Sequence, residues 1–343
     1  MNIGLKKKDR MKRLNLLVFI AILFASCMNE PVQQPNTYSG NFESLWQIID
    51  TKYCFLDFKH INWDSIHTVY KARVDTVKSQ LTFFDLMGDM LDELQDGHVN
   101  LISDFDVSRN WDWYLNFPPN FNSDLILKSR YLGKNYLIAA GFKYARIASG
   151  KVGYIYYSSF EDNFSDNNVA YMLNYFSACK GLIIDVRNNG GGSLDNSQQL
   201  ASPFFKVETL TGYIEHKIGV GHSAFSVPLA MKTPANKNIQ WQRPVIILTN
   251  RMSYSATNDF VNRMKLAPNA IIVGDKTGGG GGLPFSSELP NGWLVRFSSS
   301  PMFDSFMQLT EWGINPKYSV ALLQTDAANG YDTIIEEAIS LIK

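Results

Sequence analysis

The sequence has no net charge, no histidine spacing typical of a metal site and no complete phosphate-binding loop. Its 32 basic and 32 acidic side chains balance, and no basic block follows the N-terminal residues, which argues against nucleic acid as the main partner. His216 and His222 lie in a loop-like stretch without the spacing of zinc ligands. The glycines at 278–282 are not followed by the Lys-Ser/Thr pair of a nucleotide-binding loop. We therefore expect no metal, no cofactor and no nucleic acid partner.

No transmembrane helix is predicted at the N-terminus, because the apolar run at residues 14–25 is too short. It has about a dozen residues, against the ~20 that a membrane-spanning helix needs. It follows a cluster of lysines and arginines, as the hydrophobic part of a secretory signal does. Its end, at 23–27, resembles a bacterial lipoprotein signal, in which Cys27 becomes the lipidated first residue of the mature protein. Ordinary signal cleavage, which leaves a free Cys27, is the alternative.

We accordingly expect residues 1–27 to be a lipoprotein signal peptide. Residues 28–40 contain prolines, asparagines and glutamines, a composition that predicts a flexible tether. The expected location is the bacterial cell envelope, where the N-terminal lipid anchors the protein to a membrane, facing the periplasm or the cell surface.

Cysteine is scarce: the chain has 3, and the two besides Cys27 are Cys54 and Cys179. The two thiols would have to bring their Cα atoms within roughly 4–7 Å of each other to form a disulfide in an oxidising compartment. The sequence does not place them at that distance, so whether they pair stays open.

Apolar residues make up 45% of the chain, which is enough for a substantial core. Apolar stripes at helical spacing predict an N-terminal helical module at 41–102. Residues 103–150, rich in aromatics and prolines, predict a connecting segment that loops over a cleft or packs as a strand pair. From 151 to 343, apolar runs alternate with helical patterns. This alternation predicts an α/β core with a mainly parallel sheet and flanking helices.

Ser255 lies where an apolar run at 245–248, typical of a buried strand, passes into a helical pattern at 257–266. At such a junction the backbone N–H groups at the positive end of the helix are free, and they can stabilise an oxyanion. A strand–turn–helix elbow of this kind can hold a nucleophilic serine. The alternative is that Ser255 only caps the helix.

Two further stretches contain candidate site residues. A strand-like run at 181–186 passes into Arg-Asn-Asn-Gly-Gly-Gly; consecutive glycines let a backbone approach a ligand with its N–H groups directed inward. An ordinary turn fits the same residues. His98 follows a helical pattern that Gly97 is placed to end, so it lies at the end of an element. A structural or solvated histidine is the alternative here.

Five motifs in this order resemble the C-terminal processing peptidases, a family of serine peptidases, and in particular its tricorn-core and interphotoreceptor-retinoid-binding-protein-like branch. The motifs are Asp-Gly-His at 96–98, the glycine-rich run at 185–192, Ser-Tyr-Ser-Ala-Thr at 253–257, Val-Gly-Asp-Lys-Thr at 273–277 and Glu-Trp-Gly-Ile-Asn-Pro at 311–316. The resemblance covers most of the chain from about Phe42 onwards. It implies a ClpP/crotonase-like core.

The resemblance also implies roles for individual residues. Ser255 would be the nucleophile, His98 its general base and Glu311 the acidic group that completes the relay. The oxyanion hole would be formed by the backbone amide of Ala256 together with that of either Gly191 or Gly192.

The chain also departs from the family pattern. Gly97 stands where tricorn-type enzymes have a serine, which leaves open whether Glu311 reaches His98 directly or through water. Gly280 stands where the other branch has its catalytic lysine, and Lys276 lies four residues before it. In the last motif Lys317 replaces an aspartate. The interval 103–150 is about half as long as the PDZ domain of many relatives, so we expect that domain to be absent.

These features predict a secreted, membrane-anchored serine endopeptidase that cleaves polypeptides. The departures from the family pattern motivate an alternative, a non-catalytic peptide- or lipid-binding lipoprotein on the same fold.

Overall fold

A computed structural model describes residues 34–127 and 130–342 of the chain. Cys27, the predicted signal peptide and residues 28–33 of the predicted tether lie outside these residues. In the part of the chain that the structure describes, no helix combines the length and the apolar character needed to cross a membrane.

The chain begins with three helices, α1 Tyr38–Lys52, α2 Trp63–Val74 and α3 Gln80–Asp92. Each begins at a side-chain cap, provided in turn by Thr37, Asn62 and Ser79, which satisfies backbone N–H groups that the helix leaves free. The apolar faces of the helices form one core with later strands. Its deepest members are Phe42, Leu45, Ile49, Tyr53, Phe55, Met87, Met90, Leu94, Val295 and Phe297.

The rest of the described chain alternates strands with helices. The strands are β1 Asn100–Ile102, β2 Leu137–Ala139, β3 Phe142–Ile147, β4 Val152–Tyr157, β5 Gly181–Asp185, β6 Thr209–Ile214, β7 Leu229–Thr233, β8 Val245–Thr249, β9 Ala270–Gly274, β10 Gly282–Glu288, β11 Leu294–Asp304 and β12 Tyr318–Ser319. The helices are α4 Asp112–Leu115, α5 Ser123–Leu127, α6 Asp166–Tyr175, α7 Leu194–Ala201, α8 Ala256–Met264, α9 Gln324–Ala328 and α10 Thr333–Leu341.

Within the described residues, seven strands form the central sheet in the order β12-β9-β8-β5-β4-β3-β2. The strands from β12 to β4 run parallel, and β3 and β2 are antiparallel additions at one edge. The strands β5 and β8 are buried along their whole length, because α6, α7 and α8 cover one face of the sheet and α10 covers the other. The predicted α/β class with a mainly parallel sheet is confirmed.

One boundary of the predicted domains differs from the structure. The predicted start of the core at residue 151 is too late, since β2 and β3 belong to the central sheet. They lie within the segment 103–150, whose first part forms the short helices α4 and α5. The predicted helical module, 41–102, ends in β1, which joins it to the rest of the chain by pairing with β11.

A second sheet of five described strands is antiparallel and consists of β1, β11, β6, β7 and β10. This second sheet connects the helical module to the elements around the central sheet. Its strand β11 packs on the module, and its strand β6 packs against α8. The cysteines fall in two different cores, and Cys54 and Cys179 are both buried free thiols.

Candidate active site

Two turns at the carboxyl edge of the central sheet lie side by side because their strands do. The strands β5 and β8 are parallel neighbours with Asp185 opposite Leu248, so the segments that follow them leave the sheet at the same edge. One is the glycine-rich turn, 186–193, and the other is the turn that leads into α8 at Ser255. Ligand sites in open α/β sheets gather at this edge.

Ser255 occupies a strained elbow between β8 and α8. Its φ is 58° and its ψ is −120°, a conformation that costs a non-glycine residue free energy and is found where the surroundings enforce it. Its amide donates to the Gly279 carbonyl at 2.9 Å. Its side chain does not cap α8, so the helix-cap interpretation of this serine is wrong. Its Oγ lies 2.9 Å from Nε2 of His98, within hydrogen-bond reach.

His98 is buried, with 3% of its surface exposed. Its main-chain N–H donates to Oδ1 of Asp96 at 2.8 Å, which fixes the backbone of the turn. Burial lowers the pKa of His98 to about 4; the charge of Asp96 opposes this effect, whereas Arg296 and Lys59 add to it. The imidazole is therefore neutral at neutral pH and can accept a proton at Nε2.

The other ring nitrogen of His98 is unpaired. Among the described residues, Nδ1 has no hydrogen-bond partner although it is buried. The Gly282 carbonyl lies near enough to favour a charged ring, but it does not form a hydrogen bond of normal geometry. Nothing in the described part of the chain thus fixes the tautomer of His98 through Nδ1.

Glu311, the acidic group expected from the resemblance to act on His98 directly or through water, makes no direct contact with the His98 ring. Oε1 of Glu311 lies 3.0 Å from Nζ of Lys59, and Oε2 accepts the Gly281 amide at 2.9 Å. Both oxygens are thereby engaged away from the imidazole. Burial raises the pKa of Glu311 to about 8, with the negative charge of Asp96 as the second cause and Lys59 opposing both.

Lys59 connects the two carboxylates. Its ammonium lies 3.8 Å from Asp96 in addition to the contact with Glu311, and it donates to the carbonyls of Leu94 and Gln95 at the end of the helical module. Burial lowers the pKa of Lys59, but the charges of Asp96 and Glu311 outweigh burial and raise it overall. The sequence does not single this lysine out, because its partners are 35 to 252 positions away and no local pattern marks it.

Gly191, one of the predicted oxyanion-hole residues, lies against Ser255. A Cβ atom added at Gly191 would lie 2.7 Å from the Ser255 Cβ, so only glycine allows this approach. The Gly191 amide, however, donates to Oδ1 of Asn189 at 3.0 Å and is not free. Within the described residues, the amides of Ala256 and Gly192 have no acceptor. Of the two predicted glycines, Gly192 is therefore the one with an available N–H.

Asn189 holds the two turns together. Its Oδ1 also accepts the Thr257 hydroxyl at 2.7 Å, and its carbonyl accepts the Tyr254 amide at 3.1 Å. One residue of the glycine-rich turn thus bonds on both sides of Ser255. The motif contained this asparagine, but only the fold shows which segment it meets.

Lys276, which lies four residues before Gly280, is engaged elsewhere. Lys276 makes its backbone contact with Asp275, and burial together with Arg251 lowers its pKa. No described contact joins it to Ser255 or His98. In residues 34–127 and 130–342, no group of His, Cys, Asp and Glu side chains is arranged to hold a metal ion.

Comparison with known families gives two matches. Residues 151–320 match the model of peptidase family S41, and residues 34–92 match that of the tricorn protease C1 domain. The second match lies in the helical module and the first covers most of the core.

Curated relatives include two carboxyl-terminal-processing proteases. The one from Picosynechococcus sp. is 28% identical over 146 residues, which is 41% of this chain and 32% of the relative. The one from Synechocystis sp. is 29% identical over 143 residues, 41% of this chain and 31% of the relative. The alignments span about a third of the length of these relatives.

Solved structures resemble the chain over nearly all of its length. A candidate peptidase from Parabacteroides merdae is 50% identical, with a TM-score of 0.86 over 90% of this chain and 97% of that one. Mature CPAF, at 13% identity, has a TM-score of 0.67 over 89% of this chain and 96% of that one, which shows a shared fold only. By these matches the chain belongs to peptidase family S41, a family of serine peptidases.

Proposed function

We propose that this protein is a serine endopeptidase that cleaves polypeptides, with Ser255 as nucleophile and His98 as general base. The observation that carries the proposal is the 2.9 Å separation of Ser255 Oγ and His98 Nε2. A nucleophile paired with a neutral base, beside free backbone amides at a helix N-terminus, is the arrangement that acyl transfer needs.

The reaction follows from the position of each group. Nε2 of His98 takes the proton of Ser255 as Oγ attacks the peptide carbonyl carbon, and the carbonyl electrons move onto oxygen. The amides of Ala256 and Gly192 stabilise that oxyanion. The imidazolium then passes its proton to the leaving amine, and the acyl-enzyme remains. A water molecule, deprotonated by the same nitrogen, releases the second product and restores the hydroxyl.

The charge that develops on His98 is stabilised from a distance. The Asp96 carboxylate and the Gly282 carbonyl both favour the protonated ring. Asp96 does not bond to the ring, since its Oδ1 accepts the main-chain N–H of His98. Asp96 therefore has the electrostatic part of the role assigned to Glu311 by resemblance, whereas Glu311 supports the site through Lys59 and the Gly281 amide.

The test compares Ser255→Ala and His98→Ala with the wild type in cleavage of fluorescein-labelled, unfolded casein. Each variant should lose cleavage by several orders of magnitude, because removing a nucleophile or its base leaves only residual catalysis. Ser223→Ala and His222→Ala, a serine–histidine pair on an exposed loop, are matched controls with activity close to that of the wild type. Wild-type cleavage by either site variant would refute the assignment.

A second candidate function is binding without turnover, to a peptide or a lipid. The unpaired Nδ1 of His98 favours it, because a serine–histidine pair without an orienting acceptor is a poorer catalyst. A fluorophosphonate probe separates the two candidates. Labelling at Ser255 supports the peptidase, and unlabelled, folded wild-type protein supports the binder.

We further propose that the protein is secreted and anchored in the bacterial envelope through a lipid on Cys27. The support is the N-terminal sequence pattern alone. Cells grown with an alkyne analogue of palmitate should incorporate it into the wild type and not into Cys27→Ser. Equal labelling of both proteins, or labelling of neither, would contradict the anchor.

A further inference from the structure

An aromatic pair lies next to the proposed catalytic residues. The Trp113 indole, from the short helix α4, stacks on the Tyr254 ring at a centroid distance of 4.1 Å and an angle of 24°. Tyr254 directly precedes Ser255, and its ring lies 4.9 Å from the His98 ring. The segment that carries Trp113 precedes Ser255 by more than a hundred positions and thus reaches the site through the fold alone.

Glycines form the surface on which this pair rests. A Cβ atom added at Gly97 would lie 2.6 Å from Nε1 of Trp113 and 3.0 Å from the Tyr254 hydroxyl. One added at Gly280 would lie 2.5 Å from Cζ of Tyr254, and one at Gly278 would overlap the Trp113 ring. A side chain at any of these positions would require the stacked pair or the neighbouring backbone to shift. Gly97 and Gly280 are two of the departures from the family pattern, and the aromatic pair fills the space that side chains there would take.

The indole is itself held in place. Its Nε1–H donates to the Asn110 carbonyl at 3.2 Å, and the Asn110 side chain donates to Asp92, the last residue of α3, at 2.8 Å. A continuous series of contacts therefore joins the helical module to the turn of the nucleophile. This turn has a strained conformation, which persists only where neighbouring groups hold it.

We propose that Trp113 is a positioning residue: its indole, seated on Gly97 and Gly278, holds Tyr254 and thereby the Ser255 elbow and the His98 ring in reactive alignment. This inference rests on the proposed function of that pair. Small displacements of reacting groups reduce rates steeply, so the effect belongs to the chemical step. The stack also covers one side of His98, and removing it admits water to the imidazole.

The experiment compares Trp113→Ala, Trp113→Phe and Trp113→Leu with the wild type. In Trp113→Ala, kcat should fall about 10- to 100-fold with little change in KM, and the acid limb of the pH profile should move to higher pH. Trp113→Phe, which keeps a flat ring on Tyr254, should recover most of kcat, whereas Trp113→Leu should not. Trp111→Ala is the matched control, because Trp111 is 45% exposed and contacts Arg109 and Tyr114 instead.

A second measurement tests whether a side chain at Gly97 and the Trp113 indole compete for the same space. Gly97 has no left-handed backbone conformation, so Gly97→Ala acts through its Cβ alone. It should reduce kcat at least 10-fold in the wild type, and by less than about 3-fold when Trp113 is already alanine. Equal losses in the two backgrounds would show that the two positions do not compete.

The outcomes separate this inference from the proposed function. Wild-type kcat and an unmoved pH profile in Trp113→Ala would overturn the positioning role while leaving the peptidase intact. If Trp113→Ala fails to fold, equal kcat in Trp113→Phe and Trp113→Leu overturns it, and a higher kcat in the phenylalanine variant supports it. A wild type that neither cleaves casein nor reacts with the fluorophosphonate would refute the proposed function, and this inference with it.

Discussion

At His98, burial and charge act in opposite directions on the pKa of the imidazole. Burial dominates and lowers that pKa to about 4 from an ordinary value of 6.5. In the proposed mechanism, a base with so low a pKa is fully available at neutral pH, but it is a weaker proton acceptor than an ordinary histidine. The developing negative charge on the oxyanion and the nearby Asp96 compensate in part, because both favour the imidazolium as the reaction proceeds.

The stability of the protein should fall as the pH falls from about 6.5 to about 4. In this window the unfolded chain protonates His98 and the folded chain does not, so acid favours unfolding by up to roughly 3 kcal/mol. Urea denaturation at several pH values measures the slope. In His98→Gln, whose side chain cannot be protonated, the part of the pH slope that His98 causes should be lost. Ser255→Ala retains the buried imidazole and should show the same slope as the wild type. An unchanged slope in His98→Gln would show that a group other than His98 takes up the proton on unfolding.

At the scale of elements, the end of β5 is held by a buried ionic triad. Arg187 lies 2.7 Å from Asp185 and 3.0 Å from Asp332, and all three side chains are fully buried. Asp332 also caps α10 by accepting the amides of Ile334 and Ile335 at 3.0 and 3.1 Å. The triad thus ties the last helix to the strand from which the glycine-rich turn begins.

Two substitutions at Asp332 should separate its cap from its charge. Asp332→Asn keeps an oxygen that can cap α10 but leaves Arg187 with one carboxylate, which should cost roughly 3–5 kcal/mol of unfolding free energy. Asp332→Ala should cost about 1 kcal/mol more, because it also loses the cap. Ser165→Ala, which removes the cap of α6 and no ion pair, is the control at about 1 kcal/mol. Denaturant unfolding measures all three, and a stable Asp332→Asn would contradict the role of the triad.

At the scale of the whole molecule, Lys59 holds together segments that are far apart in sequence. It lies between α1 and α2, while its partners lie just before His98 and just after β11. The helical module also joins the rest of the chain through the second sheet, in which β1 pairs with β11, and the lysine adds a polar contact between the module and the core. Its loss would leave the buried Asp96 carboxylate without this counter-charge and would raise the pKa of Glu311 further, because Lys59 lowers both pKa values.

Lys59→Met should therefore destabilise the protein by roughly 3–5 kcal/mol. Lys71→Met, which removes an exposed ion pair with Glu43, should cost less than about 1 kcal/mol. The loss in Lys59→Met should grow as the pH rises. Lys59 opposes the rise in the Glu311 pKa, which is about 8 in its presence, so without the lysine the folded carboxyl stays protonated to higher pH while the unfolded one is ionised, and the fold loses stability over a wider pH range. Thermal melts at pH 6 and pH 9 provide the measurement. Equal losses for the two lysine variants would contradict the bridging role.

Local patterns in the sequence determined the elements and the places of Ser255 and His98 at element ends, whereas the roles of these two residues came from the resemblance to the peptidase family. The spacing of apolar residues indicates which faces of the elements are buried. Helical spacing in the first hundred residues and short apolar runs after residue 151 therefore predict the helices, the parallel strands and the α/β class. The strand–turn–helix pattern around Ser255 and the position of His98 at the end of a helix also follow, because each depends on a few adjacent residues.

The tertiary structure alone decided which distant groups meet. It placed Glu311 on Lys59 instead of His98, engaged the Gly191 amide through Asn189, added β2 and β3 to the sheet and brought Trp113 onto the turn that holds Ser255. No sequence pattern records these contacts, because each joins side chains whose separation along the chain has no period. The free energy that selects them arises only when burial removes the charges and the amides from water.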